Sequence, residues 1–380
     1  MNILVLLTDL FDKVGGIPTF NRALVKALDG IATERDWKVT ILVLNDSGTS
    51  NLVNSYTTPS RTCYKGFAGS KSNFILSGLQ ASQDANLVLI GHVHITPIAL
   101  AMMRSTKMLV VHGIDVWKRL SVLERLEVSR IDQILSVSSF TREQMVKHNR
   151  IAWDRFSIFP NTLDPFYGNH RTPRSRQELG LPPGRLILSV SRLDESERYK
   201  GIDTIIEALP LVLEELPDAF YVVVGDGADR LRLADKAENN GVRERVFFAG
   251  RVPDDLLPYY YQACDVFTLP SIKEGFGIVF LEAMYYAKPC IGVRAGGTPE
   301  VIKDGITGIL TEPGNIKALA DTLVRLLSNE KLRLTMGQAG KTRLEHEFSF
   351  GVFRQRLEGI LCRKVKGSST INNTKVKTML

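Results

Sequence analysis

Residues 265–284 read DVFTLPSIKEGFGIVFLEAM and contain a short apolar run, a loop with two glycines and an apolar helical pattern. The run DVFTLP is rich in β-branched and aromatic residues, which is typical of a buried strand. Glycines let the backbone turn sharply after it, so a helix begins near Gly277 or Ile278 and covers 280–286. The stretch therefore predicts one strand–loop–helix unit of an α/β fold.

The same alternation of strand and helix extends over most of the chain. Helical patterns at 19–28, Val122–Ser129 and Ile202–Glu215 separate apolar runs of strand length. The runs before residue 160 are NILVLLT, KVTILVL, ANLVLIG, KMLVVHG and QILSVS, and those after it are RLILSVS, FYVVVGDG, RVFFAG, DVFTLP and KPCIGV. Near-continuous apolar strands separated by helices indicate parallel sheets covered on both faces, here as two doubly wound Rossmann-like units in tandem.

A proline-rich stretch at 160–183 is the predicted connection between the two units. A chain of 380 residues is longer than one hydrophobic core usually supports, which also favours two domains. The stretch has few periodic apolar positions and five prolines: Pro160, Pro165, Pro173, Pro182 and Pro183. We therefore predict a first domain over 1–165 and a second over 166–345.

The formal net charge of +7 is unevenly distributed along the chain. Residues 363–380, RKVKGSSTINNTKVKTML, carry five basic side chains and no acidic one. This polar segment lacks helical periodicity and is predicted to be a disordered tail. Since most of the net positive charge lies there, the sequence gives little support for a nucleic-acid partner.

Cysteine spacing and hydropathy favour a cytoplasmic location. No run approaches the ~18 apolar residues of a spanning helix, and the apolar start at 3–7 is too short for a secretory signal. Any membrane contact is therefore expected to be peripheral, at the inner face of the membrane. We expect reduced thiols, because no CxxC pair occurs among Cys63, Cys264, Cys290 and Cys362.

Glycine-bearing loops follow two further strands. Gly15 and Gly16 precede a helix whose N-terminus attracts anions, although an ordinary strand-to-helix turn explains them equally well. Gly225 and Gly227 suggest a dinucleotide fingerprint, but Arg230 stands where its third glycine belongs. A glycine-lined wall beside a binding cleft is favoured over a dehydrogenase site.

Two acidic residues flank the start of the helix after DVFTLP. Glu274 lies just before the helix, and Glu282 lies about two turns into it. This separation allows one carboxylate to contact a sugar and the other a ribose, with a diphosphate at the helix N-terminus between them. The alternative is an acid that complements the helix dipole and a solvated helix glutamate.

The E-x7-E segment EGFGIVFLE, with EAMYYAKPCIGVRAGGTPEVI and DGITGIL after it, resembles the retaining glycosyltransferases of family four. The resemblance extends from the GGI loop at 15–17 to about residue 350 and implies the two-domain GT-B fold, with Rossmann-like domains facing across a cleft. It implies acceptor binding by 1–165 and nucleotide-sugar binding by 166–345. A helix at 350–361, within 346–362, would return to the first domain, and domain closure with the proline-rich hinge is expected.

In this family an Arg and a Lys clamp the donor diphosphate, and the resemblance assigns those roles to Arg192 and Lys200 in VSRLDESERYKG. The two are separated by seven residues, which is longer than the usual form of this motif. Glu274 would approach the transferred sugar, and Glu282 would accept hydrogen bonds from the ribose hydroxyls. The remaining donor contacts are implied for Gly15, Gly16, Gly225, the backbone of Arg251 and Val252 at the base, and the backbone amides of Phe276, Gly277, Ile278 and Val279.

Histidines at strand ends mark the first domain. His112, in LVVHGIDVW, matches the family histidine that contacts the donor sugar near the reacting carbon. Alternation along GHVH places His92 and His94 on one face, and these two and Asp115 are assigned to the acceptor side. A structural role is equally compatible with the histidine pair. No nearby acid or cysteine completes a metal set with them.

The resemblance implies a same-face displacement in which the leaving diphosphate takes the acceptor proton and no side chain acts as a nucleophile. No DxD dyad is evident, since Asp254 and Asp255 suit a helix start, so no metal and no other cofactor is expected. The donor is expected to be UDP-glucose, with GDP-mannose as the alternative. The product is a polysaccharide or glycoconjugate.

The acceptor is expected to be a saccharide or a lipid-linked saccharide. The stretch 61–78, RTCYKGFAGSKSNFILSG, either touches a membrane surface through its aromatic and basic residues or forms a solvated loop. A nucleotide-sugar epimerase of the same fold and a catalytically silent nucleotide-binding module are alternatives from other classes. The E-x7-E segment favours transfer, and the presence of both Arg192 and Glu274 disfavours a silent module.

Overall fold

The computed structural model describes residues 1–102, 105–168 and 174–375. The chain separates into two compact units. Unit 1 contains Met1–Pro165 and Phe348–Leu380, and unit 2 contains Phe166–Glu347. The sequence-based boundaries lie at 165/166 and 345/346.

Unit 1 is built on a seven-stranded parallel sheet with the strand order β3-β2-β1-β4-β5-β6-β7. β1 is central and pairs with β2 and β4, so that Val5 lies opposite both Ile41 and Leu89. The strands are β1 Asn2–Leu7, β2 Lys38–Val43, β3 Thr62–Gly66, β4 Leu87–Ile90, β5 Thr106–Val111, β6 Gln133–Ser136 and β7 Phe156–Ile158.

Unit 2 is built on a six-stranded parallel sheet with the order β10-β9-β8-β11-β12-β13. The strand order reverses between β8 and β11 here, and between β1 and β4 in unit 1. Ligands of open α/β sheets bind at such reversals, beyond the carboxyl ends of the strands. The strands are β8 Arg185–Val190, β9 Ala219–Val224, β10 Val246–Gly250, β11 Val266–Thr268, β12 Cys290–Val293 and β13 Gly308–Thr311.

Helices connect the strands and cover the sheets. Because both faces of each sheet are covered, the strands are apolar along most of their length, and Val5, Leu6 and Leu7 are fully buried. The helices are α1 Gly16–Arg35, α2 Val53–Tyr56, α3 Lys71–Ser82, α4 Val122–Ser129, α5 Ser139–Asn149, α6 Ile202–Glu215, α7 Arg230–Asn239, α8 Leu257–Ala263, α9 Ile278–Tyr285, α10 Thr298–Val301, α11 Ile316–Ser328, α12 Glu330–Arg343 and α13 Phe350–Lys375. These observations confirm the predicted two-domain α/β fold.

The last helix packs against the first helix of unit 1. Phe353 of α13 is 1% exposed, and its ring centre lies 5.6 Å from that of Phe20 and 4.3 Å from that of Phe159. Thr162 donates a hydrogen bond to the carbonyl oxygen of Phe348 at 2.7 Å. Unit 1 is therefore completed by a segment that follows unit 2 in the sequence.

The structure differs from the sequence prediction in the stretch 61–78. It contains strand β3 and most of helix α3, where the sequence analysis expects a loop. Edge strand β3 alternates buried or half-buried residues with exposed ones, so it lacks the continuous apolar run that predicts ten of the other strands. Strands β7 and β13, of three and four residues, are not predicted either. Phe67 and Phe74 are 7% and 3% exposed and belong to the core of unit 1, so they are not available to touch a membrane.

Helix ends are the other main difference. α1 extends beyond the predicted 19–28 at both ends, and α13 continues to Lys375 through part of the segment predicted to be disordered. The segment 363–366, RKVK, contains good helix formers, which explains the continuation. Pro173 of the predicted linker and residues 376–380 of the predicted tail lie outside the described residues.

Truncation of Phe353 tests how strongly the last helix holds unit 1. We expect Phe353→Ala to lower the free energy of unfolding by about 3–5 kcal/mol, because a buried aromatic ring leaves a cavity. Urea denaturation measures the loss. Leu76→Ala, at a side chain that is 68% exposed, is the matched control and should stay within about 0.5 kcal/mol of the wild type. Equal losses in both variants would contradict this account.

Candidate functional site

Charged residues converge where the strand order of unit 2 reverses. Arg192 and Lys200 follow β8, and Glu274 follows the neighbouring strand β11. The strands are parallel, so their following loops lie at the same edge of the sheet. The structure thus places the predicted diphosphate residues and the predicted sugar residue at one location.

Lys200 ends a short 3-10 helix, Glu195–Lys200. Asp194 starts this helix by accepting a hydrogen bond from the backbone of Ser196. The carbonyl oxygen of Tyr199 accepts from the backbone N–H of Ile272 at 2.9 Å, which ties the helix to the loop after β11. Gly201 has a φ of 80°, and a Cβ there would lie 2.5 Å from the carbonyl oxygen of Pro270. The KG dipeptide therefore permits a close approach that aims Lys200 at the loop.

Lys200 and Glu274 form a partly buried ion pair. The Lys200 Nζ lies 2.8 Å from the Glu274 Oε2, and the side chains are 20% and 15% exposed. Burial on its own lowers the pKa of Lys200, but the charge of Glu274 and its hydrogen bond outweigh it, so the pKa lies above its usual value. A fixed positive charge therefore stands at the start of the loop that leads into α9.

Arg192 is an exposed cation of the site. Its side chain is 77% exposed and is paired with Glu197. Gly225 and Gly227 hold its loop: a Cβ at either would overlap the carbonyl oxygen of Ser191 or Leu193. The two glycines thus let the end of β9 pack directly against the loop that carries Arg192.

Helix α9 begins at Ile278, and Gly277 precedes it with a φ of 95°. A helix start leaves backbone N–H groups without intrahelical acceptors, and these attract anions. Gly277, Ile278 and Val279, three of the four residues whose backbone amides are predicted to line the sugar and phosphates, belong to this helix start, and Phe276 directly precedes it.

Gly296, Gly297 and Lys273 lie near Glu274, and no role for them was predicted from the sequence. The backbone N–H of Gly297 donates to the Glu274 carbonyl at 2.7 Å, and a Cβ on Gly296 would lie 2.5 Å from the same oxygen. The GG dipeptide in RAGGTPE is the sequence feature from which this close packing against the Glu274 backbone could have been predicted. The Lys273 and Lys200 Nζ atoms lie 5.8 and 5.6 Å from the ring centre of Tyr199, so a further cation stands beside the pair.

Glu282 is half-buried in unit 2 and is hydrogen-bonded to a core tyrosine, so it is not a solvated helix residue. Tyr261, fully buried, donates a hydrogen bond to Glu282 Oε2 at 2.6 Å. Burial raises the pKa of Glu282 to about 7; the Tyr261 hydrogen bond opposes this and the charge of Asp254 adds to it. Asp254 and Asp255 occupy the turn before α8, as their position after a proline predicts.

Arg251 and Val252 follow β10 at the edge of the same sheet. The end of β10 is joined to the end of β9, since the backbone N–H of Gly225 donates to the Gly250 carbonyl at 2.8 Å. The segment predicted to read the base is therefore two strands away from β8.

Gly15 and Gly16 of unit 1 stand at the end of the connection between β1 and α1. Gly15 has a φ of 142°, and α1 begins at Gly16, where a Cβ would meet nothing within 4 Å. No side chain caps this helix start. The loop is thus exposed and leaves its backbone accessible at the strand-order reversal of unit 1.

Three histidines of unit 1, His92, His94 and His112, form one cluster after β4 and β5. The His112 Nε2–H donates to the Gly91 carbonyl at 2.8 Å, and burial lowers the pKa of His112 to about 4. The His92 ring centre lies 4.5 Å from that of His94 and 6.0 Å from that of His112. β4 ends at Ile90, so His92 and His94 come together through a 3-10 turn and not through strand alternation.

Asp115 lies beside this cluster, and its Oδ2 is 3.9 Å from the His92 Nε2. Burial raises the pKa of Asp115 to about 6, against the effect of nearby backbone N–H groups. Over residues 1–102, 105–168 and 174–375, no three His, Cys, Asp or Glu side chains are arranged to hold a metal ion.

Comparisons with known proteins identify the relatives of this chain. The sequence model of the family described as “Glycosyl transferases group 1” matches residues 172–343. A GDP-mannose-dependent alpha-(1-6)-phosphatidylinositol monomannoside mannosyltransferase of Mycobacterium tuberculosis is 30% identical over 66% of this chain and 68% of its own length. The N-acetyl-alpha-D-glucosaminyl L-malate synthase of Bacillus anthracis is 29% identical over 71% of this chain and 73% of its own.

Other curated relatives are matched over only about half of their length. Among solved structures, the UDP complex of HepE from Anabaena has the same fold. It superposes with a TM-score of 0.79 at 21% identity and covers 96% of this chain and 100% of that one.

The pKa of Glu282 gives a stability test. Because its folded-state pKa is raised from 4.5 to about 7, the stability that its protonated form contributes is complete below pH 4.5 and is lost as the pH rises through 7. The free energy of unfolding of the wild type should fall relative to Glu282→Gln by at most about 3 kcal/mol between pH 5 and pH 8. Urea denaturation at both pH values measures this difference. A constant difference would show that Glu282 titrates as a solvated carboxyl.

Proposed function

Because the chain belongs to the family-four (group 1) glycosyltransferases and has their GT-B fold, we propose that it is a retaining hexosyltransferase that uses a nucleotide diphosphate sugar. The proposed donor is UDP-glucose, and the proposed acceptor is a saccharide or a lipid-linked saccharide. The product would be a polysaccharide or another glycoconjugate. The nucleotide and sugar bind to unit 2 in this proposal, and the acceptor binds to unit 1.

One observation carries the proposal: the Lys200–Glu274 ion pair stands beside the N-terminus of α9 at the strand-order reversal of unit 2. A diphosphate placed at the helix start meets backbone N–H groups and the Lys200 ammonium together. Arg192, on the adjacent loop, is exposed and thus accessible to the same phosphates. Fixed positive charge at this point stabilises the negative charge that develops on a departing nucleoside diphosphate.

The ion pair also supports a displacement in which no side chain acts as a nucleophile. Glu274 is held by an ammonium group at 2.8 Å, and a carboxylate held in this way is a weakened nucleophile. Glu274 then orients the hexose, and the leaving diphosphate takes the acceptor proton on the same face. Positioning and charge stabilisation supply most of the rate, and no metal ion is required.

A second donor is favoured by a specific comparison. The 30% identical relative from Mycobacterium tuberculosis is GDP-mannose-dependent, which makes a GDP-mannose-dependent alpha-mannosyltransferase the alternative. Uracil and guanine differ in size and in hydrogen-bonding edges. Contacts of the backbone at Arg251 and Val252 with the base therefore decide between them in this proposal.

A cytoplasmic enzyme with a peripheral membrane contact suits a lipid-linked acceptor. Within the described part of the chain, no helix is long and apolar enough to span a membrane. An exposed apolar surface does occur on α4 of unit 1, where Val122, Leu123 and Leu126 are 77%, 59% and 50% exposed. Lys118 and Arg119 lie exposed just before it and favour anionic lipid. α4 replaces the core residues Phe67 and Phe74 as the proposed membrane surface.

Substitution of the site residues tests the proposed reaction. We expect Glu274→Gln and Arg192→Ala each to lower turnover about 10²–10³-fold, because each removes a charge that the transition state uses. Release of nucleoside diphosphate from UDP-glucose and from GDP-mannose is measured with and without EDTA. EDTA should leave the wild-type rate unchanged, and loss of activity that manganese restores would refute metal independence.

Matched controls for these variants lie elsewhere in unit 2. Arg294→Ala removes an exposed arginine paired with Asp304, and Glu207→Gln removes a carboxylate paired with Lys236. Both controls should keep the wild-type rate. Wild-type rates in the two site variants would remove the site assignment, and acceptor-free formation of an epimer would favour the epimerase alternative.

Vesicle co-sedimentation tests the membrane contact. Replacement of Leu123 and Leu126 by Ser should reduce binding to phosphatidylglycerol vesicles at least tenfold, because exposed apolar side chains anchor such a helix. Replacement of Ile75 and Leu76 on α3, also exposed, is the matched control and should leave binding unchanged. No binding of the wild-type protein would exclude this contact.

A further inference from the structure

A hydrogen-bond donor and a hydrogen-bond acceptor, both largely buried, face each other in unit 1 without forming a hydrogen bond. The His92 Nε2 lies 3.9 Å from the Asp115 Oδ2, and these side chains are 10% and 13% exposed. Asp115 Oδ2 is buried and has no hydrogen-bond partner within the described residues. An unpaired buried carboxylate oxygen costs about 1–3 kcal/mol or more, so its retention calls for an explanation.

The hydrogen bonds of His92 fix which of its ring nitrogens is a donor. The backbone N–H of His94 donates to the His92 Nδ1 at 3.2 Å, so Nδ1 carries no proton. Burial and the neighbouring His112 and His94 lower the pKa of His92 to about 3, and the ring is therefore neutral near pH 7. A neutral ring with a free lone pair on Nδ1 carries its proton on Nε2. Nε2–H is thus a donor that faces Asp115.

We propose that His92 and Asp115 together bind one hydroxyl group of a polyhydroxylated acceptor. The Nε2–H of His92 donates to the hydroxyl oxygen, and the hydroxyl hydrogen is donated to Asp115 Oδ2. An oxygen about 2.8 Å from both atoms fits their 3.9 Å separation. A hydroxyl group accepts and donates through one oxygen, whereas a carbonyl or phosphate oxygen only accepts.

The surroundings of the pair favour a neutral sugar or polyol. Asp115 repels an anionic group, and the half-buried ring of His112, whose centre lies 6.0 Å from that of His92, supplies a ring surface beside the pair. Sugars combine such hydroxyl groups with apolar C–H faces. The inference rests on the proposed function, because it identifies this ligand as the sugar acceptor, and it assigns His92 and Asp115 to hydroxyl recognition.

Nitrogen NMR of histidine-labelled full-length protein tests the pair directly. Methyl α-D-glucopyranoside and myo-inositol are titrated as hydroxyl probes while the His92 Nε2 resonance is followed. We expect a saturable shift with at least one probe, and an affinity at least tenfold lower in Asp115→Asn, since a hydrogen bond to a charged group is lost. His92→Gln keeps an N–H donor and should retain part of the affinity for the probes. Because this variant lacks the His92 resonance, its affinity is measured from the chemical shift of the Asp115 carboxyl carbon.

Glu127→Gln is the matched control, because Glu127 is a carboxylate of unit 1 that is 3% exposed and accepts a hydrogen bond from Thr96. This variant should bind the probes as the wild type does. A wild type with no saturable shift, or an Asp115→Asn variant with unchanged affinity, overturns the inference. Donor turnover is measured separately, so failure of the transferase proposal is recognised by absent turnover and not by probe binding.

Discussion

The ion pair between Lys200 and Glu274 is the interaction on which the candidate site of unit 2 depends. It joins the segments that follow β8 and β11, the two strands between which the order of the sheet reverses. Both side chains are partly buried, so neither charge is stable there without the other. The pair thus holds the Lys200 ammonium group near the start of α9, with the Glu274 carboxylate beside that ammonium group, before any substrate binds.

Glycines make this arrangement possible by removing side chains where backbones meet. Gly201 lets the segment that carries Lys200 approach Pro270, and Gly296 and Gly297 support the backbone at Glu274. Gly225 and Gly227 likewise let the segment after β9 pack against the backbone on either side of Arg192. The glycine pattern of unit 2 therefore serves close packing of loops around the site as much as direct approach to a ligand.

The sequence predicted the architecture because continuous apolar strands are read easily, and the structure confirms two doubly wound parallel sheets. It did not predict the edge strands β3, β7 and β13, because β3 has alternating exposure and the other two are only three and four residues long. Glu274 and Lys200 were assigned through the resemblance to family four, but the contact between them depends on loop geometry that the motifs do not specify. The gap between His92 and Asp115 likewise arises from two loops that are distant in sequence, which no local pattern reveals.

A structure of the protein soaked with UDP-glucose is the most direct test of this account. We expect the diphosphate at the N-terminus of α9, with a phosphate oxygen about 3 Å from the Lys200 Nζ and the hexose against Glu274. Phosphates bound elsewhere in unit 2, with the Lys200–Glu274 pair undisturbed and remote from them, would contradict it.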